Sequence, residues 1–224
     1  MPPDSLSDLQ APIGADAAPP CDADGHLYVF AYGSLIWKPG FAHGGAHPAL
    51  LRGFHRRFCL WSRRYRGTPA TPGLVLGLDR GGACRGVAFR VPRRDAAPVL
   101  AYLDARETPP GEEVYERRLL PVSLLDQPGR RVRAIAYVAN RAHPSYCRPC
   151  PDTAAAAIAR GVGEAGPNRD YLLNTVAHLD AMGVRDAGLD RIAALLAMQG
   201  VVEAAPEPAA FEGAAEVTHN PASR

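Results

Sequence analysis

The sequence predicts an α+β fold whose centre is a mostly antiparallel sheet, able to close into a barrel, with flanking helices. Strand patterns dominate the first 140 or so residues and helical patterns dominate the remainder, without the regular strand–helix alternation of a parallel sheet. Hydrophobic residues make up 47% of the 224 residues. That content is enough for one sizeable core.

Short apolar or alternating runs predict the strands. The first run, residues 27–31, is apolar throughout and ends at a Tyr-Gly-Ser turn. Further strands are expected over residues 50–61, 74–78, 84–91, 117–125 and 132–139. The segment Asp-Arg-Gly-Gly-Ala at 79–83 is typical of a hairpin turn, so the strands on either side of it are expected to form a hairpin.

Apolar residues at helical spacing predict four helices, over residues 93–106, 153–161, 168–182 and 189–199. Pro92 suits the start of the first helix, whereas Pro98 is expected to bend it or delay its start. Residues 1–25 and 203–224 are rich in small residues, proline and charge, and lack periodicity. They are expected to be disordered tails on either side of a single domain over residues 26–202.

Charge and composition exclude several classes of partner. The net charge of +2 gives no global reason to bind nucleic acid or an anionic membrane surface. No apolar run reaches the ~20 residues of a membrane span, and the first residues do not resemble a secretory signal. Five cysteines at irregular spacing give no disulfide framework, so a cytoplasmic protein is expected.

Cys147 and Cys150 form an isolated Cys-x-x-Cys pair. A redox pair or half of a zinc site would have this spacing, but no second pair follows, and structural or incidental cysteines are favoured. The histidines are scattered without metal-ligand spacing, and no phosphate loop, dinucleotide fingerprint or Gly-x-Ser-x-Gly elbow occurs. We therefore expect neither a metal nor an organic cofactor.

The Tyr-Gly-Ser-Leu turn after the first strand is one candidate site. Its successive backbone N–H groups could hold a carboxylate or an oxyanion, and Gly33 would allow either a positive φ or a close approach to a ligand. Ser34 could add a hydroxyl donor. An ordinary turn at the end of a strand remains the alternative.

Glu107, at the end of the first predicted helix, is the candidate acid/base. A carboxylate there meets the unfavourable end of the helix dipole, which tends to raise its pKa and suits proton exchange. A solvated glutamate or an ion pair with an arginine is the alternative, and Asp104, Glu112 and Glu113 compete with it. The arginines between residues 52 and 66 could meet a small anion or simply cover solvated strand faces.

Several motifs taken together resemble the ChaC family of γ-glutamylcyclotransferases. The segment VFAYGSLIWKP at 29–39 resembles the opening of that family, and RGFHRRF at 52–58 resembles its next segment. Further family-like segments follow in the expected order at 66–69, 72–75, 86–91, 102–107, 136–140 and 166–172. Residues 108–114 are longer than in some relatives, which leaves the local shape of the pocket open.

The resemblance implies a γ-glutamylcyclotransferase-like fold and a glutathione-degrading enzyme that releases 5-oxoproline and cysteinylglycine, with no protein partner required. Glu107 would be catalytic. The resemblance and the turn chemistry together make the substrate-binding candidates Tyr32, Gly33, Ser34, Leu35, Ile36 and Tyr171, although Tyr171 could equally belong to the core. Two alternatives remain: a cyclotransferase for other γ-glutamyl amino acids or γ-glutamylamines, and a non-catalytic glutathione-binding module.

Overall fold

Five strands close into a barrel in the computed structural model, which describes residues 18–107 and 113–200. Their order around the barrel is β1-β3-β2-β4-β5, with β1 (His26–Ala31), β2 (Ala46–Ser62), β3 (Gly73–Pro92), β4 (Tyr115–Leu124) and β5 (Arg131–Ala139). Most neighbours are antiparallel, and the parallel pairing of β1 with β5 closes the barrel at Tyr28↔Ala134 and Val29↔Ile135. The predicted fold class is confirmed.

In the described parts of the chain, four helices surround the barrel: α1 (Arg93–Glu107), α2 (Pro151–Arg160), α3 (Asn168–Ala181) and α4 (Ala187–Met198). All four predicted helices are present, and α1 begins at Arg93 with Pro98 inside it, so Pro98 does not delay its start. A small pairing of β6 (Val162–Gly163) with β7 (Gly166–Pro167) precedes α3. No helix among the described residues is long and apolar enough to cross a membrane.

The hairpin prediction over residues 74–91 is wrong. These residues form one continuous strand, β3, which pairs along its length with β2 instead of folding back on itself. Gly81 and Gly82 do have positive φ, at 99° and 68°. They lie beside a register shift between Arg52 and Phe54 of β2, and a β-bulge uses such glycines without reversing the chain.

The barrel core contains the inward-facing residues of all five strands. Tyr28, Phe30, Leu51, Leu76 and Ile135 are among the large side chains that are almost fully buried. The predicted tails fall largely outside the described residues, apart from a turn at 22–25 that leads into β1, where the Asp22 N–H donates to the His26 carbonyl at 2.8 Å. The domain boundaries of 26 and 202 stay predictions.

Candidate active site

The Tyr-Gly-Ser-Leu segment leaves the barrel at the end of β1 and forms one turn of 3₁₀ helix, Ser34–Ile36. The Ile36 N–H donates to the Gly33 carbonyl at 2.9 Å, and the Lys38 N–H donates to the Ser34 carbonyl at 2.9 Å. Gly33 has φ −136°, so a positive φ is not the reason for glycine. A Cβ there would lie 3.2 Å from the Tyr171 hydroxyl, whereas a close approach of Gly33 to a ligand stays a prediction.

The turn leaves two backbone donors available. Backbone hydrogen bonds within the turn use the N–H groups of Ile36, Trp37 and Lys38, and no backbone carbonyl among the described residues accepts from those of Ser34 or Leu35. Groups of this kind at the start of a helical turn can bind an anionic or carbonyl oxygen.

One pocket brings the turn and Glu107 together. Glu107 is the last residue of α1, and its side chain is 17% exposed. The empty space of the pocket, including its open mouth, is about 340 Å³. Its walls are formed by Phe30, Tyr32, Gly33, Ser34, Leu35, Leu76, Glu107, Tyr115, Tyr137 and Tyr171.

All but one of the predicted site residues line this pocket. Tyr171, from α3, for which the sequence allows either the pocket or the core, is 7% exposed and lines the pocket as well. Ile36 is the exception, because it is buried in the core and does not belong to the pocket wall.

Sequence reasoning missed the wall formed by Phe30, Leu76, Tyr115 and Tyr137. The two tyrosines come from β4 and β5, and their hydroxyls are fixed by the protein: Tyr115 donates to the Leu76 carbonyl at 2.7 Å and Tyr137 to Asp104 Oδ1 at 2.8 Å. Tyr32 similarly donates to the Tyr137 carbonyl at 2.9 Å. Strand alternation could have assigned both tyrosines to the inward face, but it could not indicate which end of the barrel opens to solvent.

The electrostatic setting of Glu107 suits proton exchange. Burial raises the pKa of its carboxyl group above the ordinary value, because the charged form loses water. Arg106 opposes the rise, both as a nearby positive charge and through a hydrogen bond. Its Nε lies 3.0 Å from Glu107 Oε1.

The tyrosines around Glu107 remain neutral donors. Burial raises the pKa of Tyr32, Tyr115, Tyr137 and Tyr171, and the nearby Glu107 carboxylate adds to the rise in each case. A buried phenol that keeps its proton is a fixed hydrogen-bond group rather than a base.

The competing carboxylates differ in their surroundings. Asp104 accepts hydrogen bonds from Tyr137 and, at 2.5 Å, from Arg117 Nη1, so it is part of a partly buried polar network behind the pocket wall. Glu113 does not line the pocket, and Glu112 lies outside the described residues, as do residues 108–111 of the extended segment. Glu107 is thus the carboxylate that the described pocket wall contains.

Among the arginines of residues 52–66, Arg56 and Arg66 bind backbone carbonyls, whereas Arg52, Arg63 and Arg64 are exposed. Arg56 is buried and donates to the carbonyls of Tyr32 and Arg85, and to Asp186 Oδ2 at 3.0 Å. Arg66 donates to the Pro167 carbonyl at 3.1 Å, and its guanidinium lies 5.2 Å from the centre of the Tyr171 ring. Arg56 therefore anchors the residue that opens the turn, and Arg66 covers the outer side of Tyr171.

The Cys-x-x-Cys pair is divided between two surroundings. Cys147 is half-buried and lies opposite buried Cys59, to whose carbonyl its N–H donates at 2.9 Å, whereas Cys150 is exposed at the start of α2. All five thiols are free. Among the described residues, no three His, Cys, Asp or Glu side chains are grouped as metal ligands would be.

Comparison with known proteins assigns the family. The model of the family described as ChaC-like protein matches residues 27–199. The chain belongs to the ChaC-like family. That match contains the turn, Glu107 and Tyr171.

Named relatives are identical to this chain at about a third of the aligned residues. A human protein named glutathione-specific γ-glutamylcyclotransferase 1 is 34% identical over 178 residues, covering 78% of this chain and 79% of the human one. An Escherichia coli protein named glutathione-specific γ-glutamylcyclotransferase is 34% identical over 168 residues, covering 75% of this chain and 71% of the bacterial one. A solved yeast structure of a cyclotransferase specific to glutathione superposes with a TM-score of 0.70 at 24% identity, covering 78% of this chain and 96% of the yeast one, and supports the fold.

Proposed function

We propose that this chain is a glutathione-specific γ-glutamylcyclotransferase, with Glu107 as its acid/base residue. The observation that carries the proposal is the position of the Glu107 carboxyl group on the same pocket wall as the Tyr-Gly-Ser-Leu turn. The names of the ChaC-like relatives, which specify glutathione, support the choice of substrate.

The reaction is an intramolecular displacement. The α-amine of the γ-glutamyl group attacks its own γ-carbonyl carbon, the new C–N bond closes a five-membered ring, and the amide bond to cysteine breaks. The products are 5-oxoproline and cysteinylglycine. Because the nucleophile is already tethered, the protein gains most by holding the folded conformer of the substrate, and the chemistry needs no metal or organic cofactor.

Glu107 supplies the proton exchange. The α-ammonium group has a reference pKa of about 8, so it must lose a proton before attack. The raised pKa of Glu107 brings it closer to the pKa of the α-ammonium group, which favours transfer of the proton to Glu107. The same carboxyl group then returns the proton to the departing cysteinyl amine.

The turn holds the reacting group. The N–H groups of Ser34 and Leu35 are available to the oxygen on which charge develops, where pre-oriented donors stabilise the transition state. The Ser34 hydroxyl accepts from Arg106 Nη2 at 2.9 Å, so its own proton remains free to donate to the substrate.

The test is incubation of the purified chain with glutathione and detection of 5-oxoproline and cysteinylglycine by mass spectrometry. Glu107→Gln should bind glutathione in calorimetry but lose turnover, by about 100-fold or more. Glu164→Gln is the matched control, since that carboxylate is 60% exposed and pairs with Arg64 away from the pocket. Near-normal product release by folded Glu107→Gln would end the assignment.

Two alternatives have distinct outcomes in the same experiment. Faster turnover of γ-glutamyl-alanine than of glutathione would indicate a cyclotransferase of broader or different substrate range. Binding of glutathione without any product would indicate a non-catalytic module. We also place the reaction in the cytoplasm, because five free thiols suit a reducing compartment; cell fractionation tests this.

A further inference from the structure

The guanidinium group of Arg106 lies between the Tyr-Gly-Ser-Leu turn and Glu107. Its Nε contacts Glu107 Oε1 at 3.0 Å, and its Nη2 donates to Ser34 Oγ at 2.9 Å. Its Nη1 donates to the Lys38 carbonyl at 3.0 Å and to the Tyr102 hydroxyl at 3.1 Å. One side chain therefore contacts the Glu107 carboxylate, the turn at Ser34 and the backbone that follows the turn at Lys38.

A second contact holds the same two elements together. Gly40, two residues beyond Lys38, has φ 75°, and a Cβ there would lie 2.1 Å from the Tyr102 hydroxyl. The segment that follows the turn is therefore packed directly against α1, at the residue that Arg106 also contacts. The relative position of turn and helix is fixed at two points, Gly40 and the Arg106 guanidinium.

We propose that Arg106 is a positioning residue that fixes the distance between the turn and the Glu107 carboxylate by binding Ser34 Oγ, the Lys38 carbonyl and Glu107 simultaneously. The inference rests on the proposed function, because positioning matters only if Glu107 must reach a substrate held by the turn. Arg106 is not among the described residues that form the pocket wall, so we expect it to act on the reaction through Glu107 and the turn.

Arginine suits this role better than lysine does. Its planar group carries five N–H donors in a rigid fork, and four of the five contacts that such a fork can make are present here. A lysine ammonium is a point charge on a flexible stem and would not bridge these acceptors in one fixed geometry. Lysine would keep the positive charge but could not bind Ser34, the Lys38 carbonyl and Glu107 at the same time. The lysine variant therefore separates the effect of the charge from the effect of these hydrogen bonds.

The charge of Arg106 also acts on Glu107. The other groups facing this carboxylate are the hydroxyls of Tyr32 at the end of β1, Tyr115 of β4, Tyr137 of β5 and Tyr171 of α3. These phenols stay neutral, so removing the guanidinium would leave the buried carboxylate less stable in its charged form. In a plot of glutathione turnover against pH, the fall of the rate on the acid side (the acid limb) should then occur at higher pH.

The experiment measures kcat, KM and the pH profile of glutathione turnover for Arg106→Met and Arg106→Lys, with Arg94→Met as the control. Arg94 lies on the same helix but is 82% exposed. For Arg106→Met we expect kcat to fall by about 100-fold, the loss associated with a 1 Å misplacement of reacting groups, and the acid limb to move to higher pH. For Arg106→Lys we expect the limb to return towards the wild-type position while kcat stays low.

A folded Arg106→Met variant with kcat within about threefold of wild type would overturn the inference. So would an Arg106→Lys variant with full kcat, because charge alone would then suffice. If Arg106→Met does not fold, a cycle of Arg106→Lys with Ser34→Ala decides: non-additive losses support the bridge, and additive losses overturn it. A wild-type chain that releases no 5-oxoproline would overturn both the proposed function and this inference. If the wild-type chain is active and the Arg106 variants keep its kcat, only this inference is overturned.

Discussion

Gly33 and Tyr171 meet so closely that a Cβ atom on Gly33 would lie 3.2 Å from the Tyr171 hydroxyl oxygen. The contact joins the turn after β1 to helix α3, elements that are more than 130 residues apart in sequence. The φ of Gly33 is −136°, so a positive φ is not what calls for glycine. The limited space against Tyr171 and Leu76 favours glycine here.

Gly33→Val should weaken substrate binding, because its side chain must push Tyr171 aside or enter the pocket. We expect kcat/KM for glutathione to fall by about 100-fold, with a clear rise in KM. Gly44→Ala is the control: its Cβ would meet its nearest neighbour at an ordinary 3.8 Å. Unchanged kcat and KM in Gly33→Val would count against the role of the turn.

Glu107→Gln should stabilise the folded protein at neutral pH. The raised pKa of Glu107 means that the folded state keeps a proton which the unfolded chain releases above the ordinary glutamate pKa of about 4.3. Wild-type stability therefore falls as pH rises between the unfolded and folded pKa values, and levels off above the latter. Glutamine does not ionise, so its advantage should grow across that interval.

Urea denaturation of both proteins between about pH 4 and about pH 8 measures this difference. The free energies of unfolding should converge at the acid end, where Glu107 is protonated in both states. A difference that is independent of pH, or that is largest in acid, would contradict the prediction.

Asn168→Ala should destabilise the barrel at the start of β3. The wholly buried amide of Asn168 accepts from the Leu74 N–H at 2.7 Å and donates to the Leu74 carbonyl at 2.7 Å, as a neighbouring strand would. Its removal leaves two buried backbone groups unpaired, which we expect to cost about 3 kcal/mol of unfolding free energy. Urea denaturation measures the loss.

Asp180→Ala is the control on the same helix, since Asp180 is exposed at the end of α3. We expect it to change stability by less than about 0.5 kcal/mol. An Asn168→Ala variant that unfolds at the same urea concentration as the control would show that Asn168 does not hold the edge of β3.

Tyr137→Phe should destabilise the wall behind the pocket. The Tyr137 side chain is 2% exposed and donates to Asp104, which also accepts from Arg117. Loss of a hydrogen bond to a charged group is expected to cost about 2 kcal/mol. Tyr65→Phe, at a tyrosine that is 46% exposed, should change little, and equal thermal midpoints for the two variants would contradict the assignment.

The spacing of apolar residues predicted most of the strands and helices, because that spacing shows which side of a segment is buried. Residues 27–31 lie within β1, and Leu172 and Leu179, two apolar residues at helical spacing in the predicted helix over 168–182, are buried in α3. The Gly81–Gly82 pair led to the wrong hairpin prediction for a physical reason. Glycines with positive φ occur in β-bulges as well as in hairpin turns, and only the partner strand decides between them. That partner, β2, lies outside any local window.

The sequence by itself determined the α+β class and predicted the turn at Tyr32 to Leu35 and Glu107 as candidate site residues, because these depend on short-range pattern and on motifs in a fixed order. Only the tertiary structure decided that Tyr115 and Tyr137 complete the pocket, that Ile36 belongs to the core, and that Arg106 connects the turn with Glu107. Barrel closure brings the ends of β1, β4 and α1 together, and contacts across such distances follow from packing rather than from any spacing along the chain.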